Sequence, residues 1–232
     1  MLIRRAWIAR CQVVTSCPNF VVLLGNRHGW RALPDEIPAA EFEAILPHLT
    51  AELANGGYKL DENIVCPRTA GPGPDKGVYV QQSRTHVGNW ADDVEGPLSG
   101  ASHRAALAFG LPEVVRRKHE ASATHQEIYS GTFDKPDSQE HVVAFVREMR
   151  TAEGQSLREA LLPDAALKDF LDLKHNELDR ESQEQLDAVK RKLRDKLGPN
   201  CVKTHSARRE RRGATTAHVT QLCADVYRRS GR

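Results

Sequence analysis

Six consecutive residues, Gly25-Asn26-Arg27-His28-Gly29-Trp30, join two glycines to an amide, a guanidinium, an imidazole and an indole. Their backbone amides, with Arg27, His28 and Trp30, suit an anionic or aromatic ligand such as a nucleotide. The alternative is a tight turn in which Trp30 packs on a neighbouring helix and Arg27 makes structural hydrogen bonds. Glu127, in Ala123-Thr-His-Gln-Glu-Ile128, is the candidate catalytic carboxylate, with His125 close by as a base. Thr124 and Glu127 also have the spacing of a capping box, where Glu127 would only satisfy a backbone amide. Cys201-x3-His205 and His218-x4-Cys223 have the composition of a zinc quartet. Their ends diverge along a strand, and Cys223 falls in an apolar stripe, so no metal site is expected. Arg208-Arg209-Glu210-Arg211-Arg212 offers phosphate contacts. No aromatic residues are interleaved for base stacking, so a solvated basic loop is the preferred reading and nucleic-acid binding is disfavoured.

Several common chemistries have no residues to carry them. The chain has no GxxxxGK[ST] loop, no GxGxxG after a strand, no GxSxG elbow and no HExxH. Neither ATP hydrolysis nor a bound cofactor is expected.

The elements that must position these residues are legible from pattern. Asn19–Gly25 is an aliphatic, β-branched run without alternation, expected as a parallel strand buried on both faces, with the Gly25–Trp30 loop at its carboxyl end. A helix is expected around Ala39–Asn55, interrupted at Pro47, and residues 58–96 read as irregular apart from a short strand at Val78–Gln82. Further helices are expected at Pro97–Phe109, Ser156–Leu173 with an interruption at Pro163, Glu181–Leu197 and Thr216–Arg229, and strands at His141–Arg147 and Cys201–His205. In Glu181–Leu197 the apolar face is Leu186, Val189, Leu193 and Leu197; in the last helix it is Val219, Leu222, Cys223 and Val226. This order predicts an α/β fold with a mainly parallel, flavodoxin-like sheet and helices on both faces. The opening residues read as the end of a helix, Leu2–Val13, so the sheet is expected to be N-terminally truncated and to lack its first strand.

Charge and composition narrow the class. Of 33 Lys+Arg and 31 Asp+Glu, residues 190–232 hold 13 and 3, which leaves a basic region after an acidic one. No apolar run approaches the ~18 residues of a membrane span. Five scattered cysteines without a CxxC pair fit a reducing, cytoplasmic setting.

Specific strings then matter. Asn19–Pro38 (NFVVLLGNRHGWRALPDEIP), Ala121–Ile128 and Glu140–Arg147 resemble the three signatures of an uncharacterised TIR-like domain found N-terminal to NACHT-type NTPase modules in STAND signal-transduction ATPases. Thr215–Tyr227 resembles the helix that leads into the NTPase module. Asn26 and His28 stand where that family commonly has Asp and Tyr, and His125 where it has Glu; Glu127 is retained. The resemblance implies a TIR-like core over residues 1–150 and a helical, basic extension over 151–232 leading towards an NTPase module, the chain being an internal fragment of a larger protein. It also implies one of two activities. The preferred one is a non-catalytic sensor or adaptor domain in signal transduction, acting on protein partners such as a NACHT-type module or a second copy of itself. The alternative is a TIR-like hydrolase of NAD-type nucleotides, with Glu127 as its carboxylate and Gly25–Trp30 as its ligand loop. A weaker third reading is nucleic-acid binding through Arg208, Arg209, Arg211 and Arg212.

Overall fold

The computed structural model describes residues 20–49, 57–64, 77–82, 95–159, 165–174, 177–210 and 213–230. The helix expected at Leu2–Val13 lies outside them, as do Arg211 and Arg212. In chain order the described strands are β1 (Phe20–Leu24), β2 (Glu36–Pro38), β3 (Tyr58–Asp61), β4 (Val78–Gln81), β5 (Val142–Arg150), β6 (Leu173–Lys174), β7 (Glu177–Leu178), β8 (Val202–Glu210) and β9 (Gly213–Ala214). The chain forms two compact units, Met1–Gly29 with Thr124–Arg232, and Trp30–Ala123.

The first unit is built on a sheet of order β1-β5-β8-β9. β1 runs parallel to β5, with Phe20 opposite Val142 and Leu24 opposite Val146; β5 runs parallel to β8, with Ala144 opposite Val202. Only the two-residue β9 is antiparallel. The α/β class and the mainly parallel, flavodoxin-like sheet expected from sequence are therefore present. β8 belongs to this sheet although it lies beyond residue 150, so the sheet draws strands from both sides of that position.

β5 is the central strand and is buried continuously from Val142 to Val146. One face of the sheet packs against the helix Arg180–Leu197, whose Leu186, Val189, Leu193 and Leu197 meet Val22, Leu24, Val142 and Ala144. That helix begins at Asp179, whose carboxylate accepts from the Ser182 amide, and ends at Gly198 with φ +75°. On the opposite face the ring of His205 stacks on Phe145, and its Nε2 lies 3.5 Å from Asp225 Oδ2 of the helix Ala217–Ser230. A helix thus lies on each face, the second of them against β8.

β1 departs from its expected burial. Val22 and Leu24 are buried, but Val21 and Leu23 are 41% and 61% exposed. Successive residues point to opposite faces, and among the described residues β1 has a strand neighbour on one side only. An aliphatic run without alternation does not distinguish this edge strand from a central one. The helix Ala217–Ser230 departs similarly: Val219 and Cys223, placed by spacing in an apolar stripe, are exposed. In the described part of the helix expected at Ser156–Leu173, residues 156–159 form a bridge and turn and Ala165–Asp169 a 3-10 segment; residues 160–164, Pro163 among them, lie outside the described residues.

The second unit holds an antiparallel sheet, β2-β4-β3. β3 corrects the irregular reading of residues 58–96: its four residues, Tyr-Lys-Leu-Asp, are too few to show a period. The helix Ala39–Ile45 gives way at Pro47 to a 3-10 turn, Leu46–His48, as the proline requires. Phe42 stacks on Tyr79 at 4.0 Å within a core of Leu33, Ile37, Ile45, Tyr58, Leu98 and Ala105. The Tyr58 hydroxyl donates to the Pro34 carbonyl at 2.7 Å, and burial holds its phenol well above the ordinary range. Two further helices among the described residues, Gly96–Ala108 and Glu113–Glu120, belong to the unit; from the latter, Lys118 and His119 both pair with Glu41 at 2.7 Å. No described helix is long and apolar enough to cross a membrane.

Candidate functional site

The loop after β1 is organised around a carboxylate that the sequence reading did not single out. Asp172 lies just before β6 and is held there by its own carbonyl, which accepts from the Asp179 amide at 2.9 Å beyond β7. Its side chain, 11% exposed, accepts the His28 amide on Oδ2 and the Gly29 amide on Oδ1, the latter at 3.3 Å. Arg27 Nε lies 3.6 Å from Oδ1. Gln183, buried in the first turn of the Arg180–Leu197 helix, donates from Nε2 to Asp172 Oδ2 at 3.2 Å and to the Asn26 carbonyl at 3.1 Å.

Consecutive amides and a guanidinium converging on one point make an anion-binding concavity. Here the anion is a side chain of the same unit. Two of the amides that suggested a nucleotide phosphate, those of His28 and Gly29, are engaged by Asp172.

Asn26 is buried and ties the loop to the central strand: its Oδ1 accepts from the Met149 amide of β5 at 3.0 Å. The two glycines are unequal. Gly29 has φ +90°, a left-handed conformation that side chains resist; Gly25 does not, and a Cβ there would meet only Arg147 Nη2 at an ordinary 3.6 Å. Gly29→Ala is therefore expected to lower stability by about 1–2 kcal/mol, while Gly25→Ala stays within about 0.5 kcal/mol. Urea melts of the two variants beside wild type check this. Trp30 begins the second unit and is 49% exposed.

Glu127 is half-buried in the short helix Ala123–Ile128. Because the helix starts at Ala123, Thr124 stands inside it and is not its N-cap, so the capping box expected from Thr124 and Glu127 is not in register. The same helix brings His125 beside the loop. Its Nδ1 lies 3.4 Å from His28 Nε2, and its ring stacks on Tyr129 at 4.8 Å. Lys192 sits over the Tyr129 and Phe133 rings at 4.6 and 4.8 Å and donates to the Tyr129 hydroxyl.

Arg208 and Arg209 are neither in a loop nor on one surface. Both belong to β8, Arg208 exposed and Arg209 half-buried, and neighbouring strand residues point to opposite faces. The Cys201 thiol is buried against the Gln139 carbonyl, whereas Cys223 is exposed.

The chain resembles part of a NACHT protein. It is 28% identical over 208 residues to human "NACHT domain- and WD repeat-containing protein 1" and 26% identical over 206 residues to the mouse protein of that name. Each alignment covers 85% of this chain and 12% of the relative, so the chain spans about an eighth of the length of these curated relatives. No protein-family profile matches it, and no solved structure matches it significantly. The similarity associates the chain with NACHT proteins, in agreement with the coarse part of the family resemblance read from its strings.

Asp172 and Gln183 were not legible as site residues. Asp172 is separated from the loop by more than 140 residues and lies in a segment whose local pattern reads as helix. No local signal marks such a partner.

Proposed function

We propose that this chain is a non-catalytic, TIR-like contact domain of a NACHT-associated STAND signalling protein, working in the cytoplasm through protein–protein contacts. The observation that carries this reading is the engagement of the His28 and Gly29 amides by Asp172. A loop whose donors already hold a carboxylate is a structural clamp. A nucleotide phosphate would have to displace that carboxylate and leave it partly buried without those partners. Apolar surface supports the same reading: Val21 and Leu23 on β1, and Val219 and Tyr227 on the Ala217–Ser230 helix, are exposed large side chains of the kind protein interfaces cover. A NACHT-type NTPase module or a second copy of the chain are the proposed partners, the first supported by the domain named in its relatives.

One observation favours the hydrolase alternative. The His28–His125 contact places the helix of Glu127 next to the loop, so a carboxylate and two imidazoles lie along neighbouring elements. The test is to incubate wild type and Glu127→Gln with NAD and follow nicotinamide release. No release above the buffer rate is expected from either protein. Release by wild type that the Glu127→Gln change abolishes, with the fold retained, would replace the contact reading by the hydrolase.

A further inference from the structure

A second concavity lies on the first unit at the carboxyl end of β5, the end of a parallel sheet at which ligands bind. Its volume is about 240 Å³, and its charged lining is Arg150, Arg158, Lys190 and Arg194 against Glu148 and Asp187. β5 supplies Glu148 and Arg150. Asp187, Lys190 and Arg194 follow one another at spacings of three and four on the Arg180–Leu197 helix, which puts them along one of its faces.

The two carboxylates are already paired. Asp187 Oδ2 holds Arg158 Nη1 at 2.7 Å, and Glu148 Oε2 lies 3.4 Å from Arg150 Nη2, whose Nη1 donates to the Gly154 carbonyl. Lys190 is different. It is 93% buried, at 7% exposure, and lines the cleft, where Asp187 and Glu148 attract it and Arg158 and Arg194 repel it. Burial, and next the like charge of Arg158, push it down to about 8 against the pull of Asp187 and Glu148, with Arg194 adding a smaller repulsion. The amine is still mainly protonated near neutral pH. An anion in the cleft would add a partner to this mostly buried cation and offset the repulsion from Arg158 and Arg194.

The dimensions and donors define the class of anion. Arg158 has spent one nitrogen on Asp187 and keeps the rest of its fork, and guanidinium with ammonium is the donor set that holds phosphoryl oxygens. The cleft is smaller than the ~300 Å³ at which pockets begin to enclose whole drug-sized ligands, so it has room for a phosphoryl group without enclosing a whole dinucleotide. We propose that this cleft binds the phosphoryl group of a small molecule, with Lys190, Arg158 and Arg194 as its cationic contacts. Asn26, whose carbonyl Gln183 holds beside Asp172, also lines the cleft, so the site adjoins the Asp172 clamp; the proposal does not depend on the contact-domain reading.

Calorimetric titration of the full chain with inorganic phosphate and with pyrophosphate, against sodium chloride of matched ionic strength, tests the proposal. Saturable one-to-one binding is expected for at least one of the two probes and none for chloride. Lys190→Met, which removes a buried charge and is expected to fold, should weaken that binding at least about tenfold, the scale of one charge-assisted contact. Arg194 is exposed, so Arg194→Gln keeps the fold and should weaken it by about threefold or more. Should Lys190→Met not fold, Arg194→Gln alone decides. Equal affinity in wild type and the folded variants, or no saturation by either probe below about 10 mM, overturns the proposal.

Discussion

Replacing Asp172 by alanine is expected to lower the unfolding free energy by about 3 kcal/mol. The change removes the acceptor of the His28 and Gly29 amides and of Gln183 Nε2 in one step. Each bond to a charged group contributes roughly 1.5–3 kcal/mol, and the three share one carboxylate, so their losses do not simply add. Asp172→Asn retains a carbonyl oxygen and should lose about half as much. Urea denaturation with an unchanged m-value measures both. A loss below about 1 kcal/mol for Asp172→Ala would mean that the clamp contributes little to the fold.

Leu193→Ala should cost as much or more, about 3–4 kcal/mol. Leu193 is fully buried where the Arg180–Leu197 helix meets the sheet, among Val22, Val142, Ala144 and Val189. Truncation loses the transfer energy of the side chain and leaves a cavity that a helix pinned by the Asp179 cap cannot collapse. For a domain of ordinary stability, ~5–15 kcal/mol, this is a large fraction of the total. Leu23→Ala is the matched control: on the exposed face of β1 it should change stability by less than about 1 kcal/mol. The ratio of the two effects in one set of thermal melts reads which face of β1 the core occupies.

What the sequence made legible follows from the range of the interactions involved. The Arg180–Leu197 helix was readable end to end because its stripe, its Gly198 stop and its polar face are all local. β5 was readable because a strand buried on both faces writes a continuous apolar run, Val142–Val146. β1 writes a similar run and is nonetheless an edge among the described strands, since neighbours are set by pairing and not by composition. β2 and β3 were missed because three or four residues show no period.

The Gly25–Trp30 loop follows β1 as the sequence order requires, with Gly29 at its left-handed turn and His28 buried within it. Its chemistry was not legible. An amide concavity looks the same in sequence whether a ligand or a distant aspartate fills it, and Asp172 is brought in by a hairpin of two-residue strands that no periodicity marks. Lys190 was hidden for a related reason. In a helix this rich in charge nothing local tells a solvated lysine from one turned into a cleft.

Native-state hydrogen exchange of the His28 and Gly29 amides, measured with and without millimolar NAD, tests most directly whether the loop is closed by its own carboxylate. Both amides should be protected in the free protein, should lose that protection in Asp172→Ala, and should not change when NAD is added. Amides that exchange freely in the wild-type protein and become protected only with NAD would contradict the clamp, and with it the contact-domain function.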